Sequence, residues 1–124
     1  MGTFVTHIRN LEIKQGSTFD DFVTLSLRAS EGATAVPMDF TGCTARTQFR
    51  ASVDSPDVLL ELTTENGGML LGGTAGTVRW LISDDVTAAI TWASAVYDTE
   101  IEFPDGTVQR KFAGKAKVSK EVTR

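Results

Sequence analysis

Glycine is the residue type whose spacing comes nearest to a recognisable chemical motif in this chain. The stretch NGGMLLGGTAGT contains Gly67, Gly68, Gly72, Gly73 and Gly76. A phosphate-binding loop needs a glycine-rich run that ends in Lys-Ser or Lys-Thr and opens a helix, and a dinucleotide site needs the spacing G-x-G-x-x-G. This stretch has neither feature and leads into an alternating apolar segment. It therefore predicts tight turns around a short strand.

Paired carboxylates are the second candidate, because two acids in different environments can act as general acid and general base. Asp20 and Asp21 adjoin in a predicted strand, where successive side chains point to opposite faces, so they do not converge on one substrate. Asp84 and Asp85 follow Ser83 and suit the positive end of a helix. The sequence also lacks a calcium loop of regularly alternating aspartates.

The chain has one histidine, His7, and one cysteine, Cys43. A zinc site needs three or four N, S or O ligands, and a Ser-His-Asp hydrolase would need an element such as G-x-S-x-G. We interpret Cys43 as a small buried apolar residue and His7 as a residue on or before the first strand. We therefore predict no catalytic residues, no cofactor and no metal site, and we expect that the protein is not an enzyme.

The composition fits a single globular domain, residues 1–124. Hydrophobic residues make up 41% of the chain and charged residues 23%, which is ordinary for a folded protein. A formal net charge of −4 disfavours a nucleic-acid partner, which usually needs a basic face. No apolar run approaches the roughly 20 residues of a membrane-spanning helix, so no membrane partner is expected.

Alternation of apolar and polar residues runs through most of the sequence and is typical of half-buried antiparallel strands. A first strand is predicted within residues 4–14. The later sets predicted to face the core are Val23, Leu25 and Leu27; Cys43, Ala45, Thr47 and Phe49; Val58, Leu60 and Leu62; Val78, Trp80 and Ile82; and Tyr97, Thr99, Ile101 and Phe103. Turn sequences such as ENGG and PDG separate these segments. Short strands with such turns indicate an all-β fold, an Ig-like antiparallel β-sandwich.

One segment, residues 83–92, breaks the alternation. Ser83 can cap a helix, and Val86, Ala89 and Ile90 recur at helical spacing. We predict one short helix between late strands, with this apolar side over one end of the core.

Two surface features have no catalytic interpretation. The outward positions of the last two strands are predicted to carry Asp98, Glu100 and Glu102 on one strand and Gln109, Lys111, Lys115 and Lys117 on the other. These charges either fix strand pairing and keep the face soluble, or form a docking surface for a partner. Phe22 and Leu59 lie out of phase with their strands, and we predict that they contact another subunit.

Motifs along the chain resemble those of small β-domain proteins from tailed phages and prophages. A Gly-Ser-Thr-Phe element at residues 16–19 precedes one strand, and the element PMDFTGCTAR at residues 37–46 opens the next. The later sequence, including LLELTTENGGMLLGGTAGTV and VYDTEIEFPDGTVQRKFAGKAKVSKEVTR, continues in the same style, so the likeness covers residues 12–124. In this order the motifs are similar to the N-terminal domains of baseplate upper proteins, which attach receptor-binding fibres.

The resemblance implies a structural component of a tailed-phage virion: a tail, baseplate or neck adaptor for fibres that acts by protein–protein assembly. It implies other virion proteins as partners, a homo-oligomer in a symmetric ring or trimer, and a place in the virion after assembly in the host cytoplasm. The β-domain of this family usually continues into a helical or fibrous region, whereas this sequence ends at Arg124. We therefore expect a separate adaptor or decoration subunit, with the fibres supplied by another chain.

The segments 1–10 and 119–124 are the expected docking arms, since edge strands can add to a neighbouring sheet. The alternatives are a carbohydrate-binding or adhesion β-sandwich module and a capsid decoration protein.

Overall fold

The chain folds into a β-sandwich, as its alternation predicts. The structure is a computed structural model and describes residues 5–123. Its strands are β1 (His7–Ile8), β2 (Leu11–Lys14), β3 (Phe19–Thr24), β4 (Ser26–Leu27), β5 (Val36–Pro37), β6 (Thr44–Arg50), β7 (Leu60–Thr63), β8 (Met69–Leu71), β9 (Thr77–Ile82), β10 (Ser94–Glu102) and β11 (Val108–Ser119). A 3₁₀ turn at Gly73–Ala75 precedes β9, and the helix α1 (Asp84–Ala88) follows it.

The larger sheet has six strands in the order β1-β11-β10-β6-β7, and β2 also pairs with β11. β10 is antiparallel to both β6 and β11, whereas β1 and β2 run parallel to β11. The two N-terminal strands thus pair with β11 in parallel, whereas the other strand pairs of the described residues are antiparallel.

The smaller sheet has three antiparallel strands in the order β3-β9-β8, and β4 pairs with β5 as a separate two-stranded element. One apolar core fills the space between the two main sheets. Its fully buried large side chains include Ile13, Phe40, Phe49, Met69, Trp80, Ile82, Ile101 and Phe112. The inward prediction is confirmed for the strands with unbroken alternation, β6, β9 and β10.

Two threonines at predicted inward positions organise a polar network inside this core. Thr47 and Thr99 face each other across β6 and β10, and their hydroxyl oxygens lie 2.6 Å apart. The indole N–H of Trp80 donates to Thr99 Oγ1 at 3.1 Å, and the Thr47 hydroxyl contacts the sulfur of Met69 at 3.3 Å. The buried polar groups are thereby hydrogen-bonded, as stable cores require.

The predicted helix is present but short. Ser83 caps it by accepting a hydrogen bond from the Val86 N–H, as its residue type predicts. The predicted apolar side is wrong in part: Val86 and Ala89 are exposed, and only Ile90, beyond the last helical residue, is buried. The residue that the helix itself buries is Thr87, whose hydroxyl donates to the Ser17 carbonyl and accepts from the Gly16 N–H.

Strand parity fails where a strand changes its partner or has not yet begun. The predicted first strand divides into β1 and β2 at Arg9 and Asn10, and its predicted start at Phe4 lies outside the described residues. Leu27 is exposed because the chain leaves β9 after β3 and pairs with β5 instead. Val58 is exposed and Leu59 packs against the core, the reverse of the prediction, because β7 begins only at Leu60.

A β-bulge in β11 changes which charges face outward. The register shifts between Thr99 and Glu100, so that these residues pair with Phe112 and Arg110 and leave Lys111 unpaired. The extra residue reverses parity on one side of the bulge. The predicted outward positions of Gln109 and Lys111 are therefore wrong: Lys111 is 7% exposed, and Arg110 takes the outward position. Burial lowers the pKa of the Lys111 ammonium.

Candidate interaction surfaces

The glycines of the predicted turns surround β8. Gly67, Gly73 and Gly76 have positive φ, which side-chain-bearing residues rarely adopt. A Cβ on Gly76 would lie 2.6 Å from the Leu25 carbonyl oxygen, so this glycine also permits a close backbone approach. These are tight turns around a short strand, as predicted.

The two carboxylate pairs do not converge. Asp20 accepts two hydrogen bonds from Arg79 on the outer face of the smaller sheet, which lowers its pKa. Asp21 points the other way and binds Arg9 through two N–H···O bonds of 3.0 and 2.9 Å. Asp84 and Asp85 occupy the first turn of α1.

His7 and Cys43 lie apart. His7 is exposed at the start of β1, where its ring lies 5.7 Å from that of Phe112. Cys43 is half-buried beside the core, and burial, followed by the charges of Asp39 and Asp105, raises the pKa of its thiol. Within residues 5–123, no three His, Cys, Asp or Glu side chains form a group that could hold a metal ion.

A concave surface of about 500 Å³ lies on the outer face of the larger sheet, and we call it the cationic groove. Its lining includes Arg46, Arg50, Val53, Val96, Asp98, Glu100, Arg110, Ala113 and Lys115. β6, β10 and β11 bring these side chains into cross-strand rows. One row is Arg50–Val96–Lys115, and another is Arg46–Glu100–Arg110. The small side chain of Ala113 opposite Asp98 leaves room between these rows.

The two rows differ in how their cations are compensated. Arg46 binds Glu100 at 3.0 Å, and this contact raises the pKa of the guanidinium; Arg110 lies 3.9 Å from Asp98. Burial raises the pKa of the Asp98 carboxyl, and the neighbouring Glu100 charge adds to the rise.

The Arg50–Val96–Lys115 row contains no carboxylate. Arg50 donates to the Ser55 carbonyl and to the side-chain oxygen of Gln48. Over the part of the chain that the structure describes, neither Arg50 nor Lys115 forms an ion pair. Of the cations predicted on the charged face of the last two strands, Lys115 takes part in the groove. Alternation with Ala45, Thr47 and Phe49 also predicts outward positions for Arg46 and Arg50, but it does not show that they join this face. Arg110 was missed, because its outward position depends on the bulge.

A second surface lies on the outer face of the smaller sheet. We call it the Phe22 patch; it consists of Phe22, Leu70 and Arg79 with Asp20 beside them. Phe22, Arg79 and Leu70 form one row across β3, β9 and β8. Phe22 is 62% exposed and Leu70 is 39% exposed, which agrees with the outward position predicted for Phe22. Leu70 was missed, although it alternates with the buried Met69.

The predicted arms are hydrogen-bonded to the body of the domain where the structure describes them. Arg9 N–H donates to the Ala113 carbonyl, the Asn10 side chain accepts from the Lys115 N–H, and the Tyr97 hydroxyl donates to the Arg9 carbonyl. Residues 1–4 and residue 124 lie outside the described range, so docking by these segments stays a prediction.

No model of a known protein family matches the chain, and no curated protein matches it. The helices of residues 5–123 include none that is both long and apolar enough to cross a membrane.

Proposed function

We propose that this protein is a structural component of a tailed-phage virion, a tail, baseplate or neck adaptor that acts by assembly with copies of itself and other virion proteins. The observation that carries the assembly role is the Phe22 patch, a row with two exposed apolar side chains on the outer face of the smaller sheet. The order of motifs described above supports the phage assignment.

The patch suits contact with a second copy of the same chain. Its cation, Arg79, forms N–H···O bonds of 2.7 and 2.6 Å with Asp20, so the centre of the row carries no net charge. A neutral apolar surface can meet its own copy without repulsion, whereas the chain as a whole has a net charge of −4. An isologous contact of this kind builds a two-fold dimer, and a ring or trimer would need a further, heterologous contact.

The first test is the oligomeric state of the purified protein, measured by sedimentation velocity. We expect concentration-dependent self-association that Phe22→Ser weakens at least about tenfold, since burial of a phenylalanine contributes roughly 1.5–3 kcal/mol. Leu27→Ser is the matched control, because Leu27 is similarly exposed but lies on the β4–β5 element. A protein that stays monomeric, or a Phe22→Ser variant that associates like the parent, would contradict the role of the patch.

The second test addresses the virion. Particles produced from the genome that encodes the chain should contain the protein at a fixed ratio to other structural proteins, measured by quantitative mass spectrometry after density-gradient purification. Its absence from intact particles would sink the virion assignment, whatever the oligomeric state.

A further inference from the structure

We propose that the cationic groove binds an acidic segment of a different protein, one in which carboxylate side chains alternate with small apolar side chains. This inference concerns another face of the molecule than the Phe22 patch and does not depend on the virion role.

The row Arg50–Val96–Lys115 supplies the recognition of charge. Neighbouring strands lie about 4.8 Å apart, so the two cations stand about 10 Å apart on either side of Val96. Two carboxylates of an extended segment lie about 7 Å apart at alternate residues, and long side chains can span the difference. Because no carboxylate of the described chain binds either cation, a partner's carboxylates would not have to displace one.

Apolar side chains supply the second part of the site. Val96 and Ala113 form the floor of the groove, and Val53, which is 83% exposed, stands at its wall. Beside Ala113, on β1, lies Ile8, which is 75% exposed. These four side chains favour a partner that brings its own apolar groups between its acids.

The distribution of charge favours carboxylates over a nucleic-acid backbone. The groove contains four of the chain's twelve Lys and Arg residues and two of its sixteen Asp and Glu residues, so it is cationic within an acidic protein. A nucleic-acid backbone needs a continuous series of free cations, whereas Arg46 already binds Glu100 and Arg110 lies near Asp98. The two cations without an ion pair, Arg50 and Lys115, lie in a single row, which suits discrete carboxylates.

The experiment uses the full chain and three rhodamine-labelled heptapeptides, read by fluorescence anisotropy. The first alternates glutamate with valine, the second alternates glutamine with valine, and the third alternates glutamate with glycine. We expect the first to bind most tightly and the other two each at least about fivefold more weakly. Binding of the first should also weaken as NaCl rises from about 0.05 M to about 0.5 M.

The double variant Arg50→Gln, Lys115→Gln should bind the Glu-Val peptide about tenfold more weakly than the parent, because two partly exposed charge contacts are lost. The matched control is Arg28→Gln, Lys120→Gln, which removes the same charge at two exposed positions outside the groove and should bind like the parent. Circular dichroism spectra and urea midpoints confirm that both variants fold.

Four results would overturn the proposal: no binding of any peptide, equal binding of the Gln-Val peptide, equal losses in the two double variants, or tighter binding of a single-stranded oligonucleotide at the groove. Self-association that Arg50→Gln, Lys115→Gln abolishes would assign the groove to a second copy instead. The Phe22→Ser test concerns the outer face of the smaller sheet, and the peptide experiment concerns that of the larger sheet. The self-association proposal and the peptide-binding proposal can therefore fail independently.

Discussion

The outer faces of the two sheets present opposite chemical patterns in the same geometry. On the smaller sheet, one row across three strands reads Phe22–Arg79–Leu70, apolar groups on either side of a cation. On the larger sheet, the row Arg50–Val96–Lys115 reads in reverse, cations on either side of an apolar group. Both rows come from the side-chain alternation of β-strands, in which every second residue faces solvent.

The difference lies in where the nearest carboxylate stands. Asp20 is two residues before Phe22 on the same strand and reaches Arg79 with both oxygens, so the smaller sheet is neutral at its centre. On the larger sheet, Asp98 and Glu100 lie opposite other residues, and no carboxylate of the described chain forms an ion pair with Arg50 or Lys115. A carboxylate that binds the cation of the row therefore distinguishes the surface suited to its own copy from the one suited to an acidic partner.

The largest effect should come from the backbone that supports the groove. A Cβ on Gly114 would lie 2.3 Å from the Arg9 carbonyl oxygen and 2.8 Å from its carbonyl carbon, both backbone atoms. Gly114→Val should therefore separate the N-terminal segment from β11 and lower the free energy of unfolding by about 3 kcal/mol, measured by urea denaturation.

Ala113→Val is the matched control for this prediction, because it adds volume at the neighbouring position on the open side of the sheet. Ala113→Val should change the free energy of unfolding by less than about 0.5 kcal/mol. It should also fill part of the groove and thereby weaken binding of the Glu-Val peptide. Equal destabilisation by Gly114→Val and Ala113→Val would show that the groove floor does not face solvent.

A smaller effect should distinguish ion pairs within a sheet from those between sheets. Arg9 binds Asp21 and so connects the N-terminal segment on the larger sheet to β3 of the smaller one, whereas Arg79 binds Asp20 within one sheet. Arg9→Gln should cost about 1 kcal/mol of unfolding free energy. Arg79→Gln should cost less, because that pair is more exposed, and a thermal melt of both variants would measure the order. A larger loss of stability in Arg79→Gln than in Arg9→Gln would contradict a stabilising role for the Arg9–Asp21 ion pair between the sheets.

The smallest effect concerns the bulge that places Arg110 in the groove. Burial lowers the pKa of Lys111, so the unfolded chain binds its proton more tightly than the folded chain does. This residue therefore destabilises the folded state below its folded pKa, and stability should rise slightly as the pH increases toward the ordinary lysine value of about 10.4.

Urea denaturation between about pH 8 and pH 10 measures this rise, and Lys111→Met should lose it while gaining stability at neutral pH. This range avoids Tyr97, whose pKa burial raises to about 12 and whose effect above pH 10 has the opposite sign. The raised pKa of the Cys43 thiol also acts with the opposite sign within this range, so the quantity compared is the stability of the parent minus that of Lys111→Met, in which the Cys43 contribution cancels. A rise of the same size in the Lys111→Met variant would contradict the account.

The sequence alone was sufficient for the all-β class, for the inward sets of β6, β9 and β10, and for the cap at Ser83. These features depend on a two-residue repeat or on one side chain and its own backbone, so neighbouring residues contain all the information. The outward position of Phe22 was predicted for the same reason.

The tertiary structure decided what the two-residue repeat of the sequence cannot encode. These features are the pairing of the strands, their register, and the position of the β-bulge that leaves Lys111 unpaired. Those choices buried Lys111, exposed Leu27, brought β1 and β2 parallel to β11 and set Arg50 and Lys115 on either side of Val96. Because a one-residue shift in pairing moves every later side chain to the other face, the composition of both outer surfaces depends on contacts between distant segments of the chain.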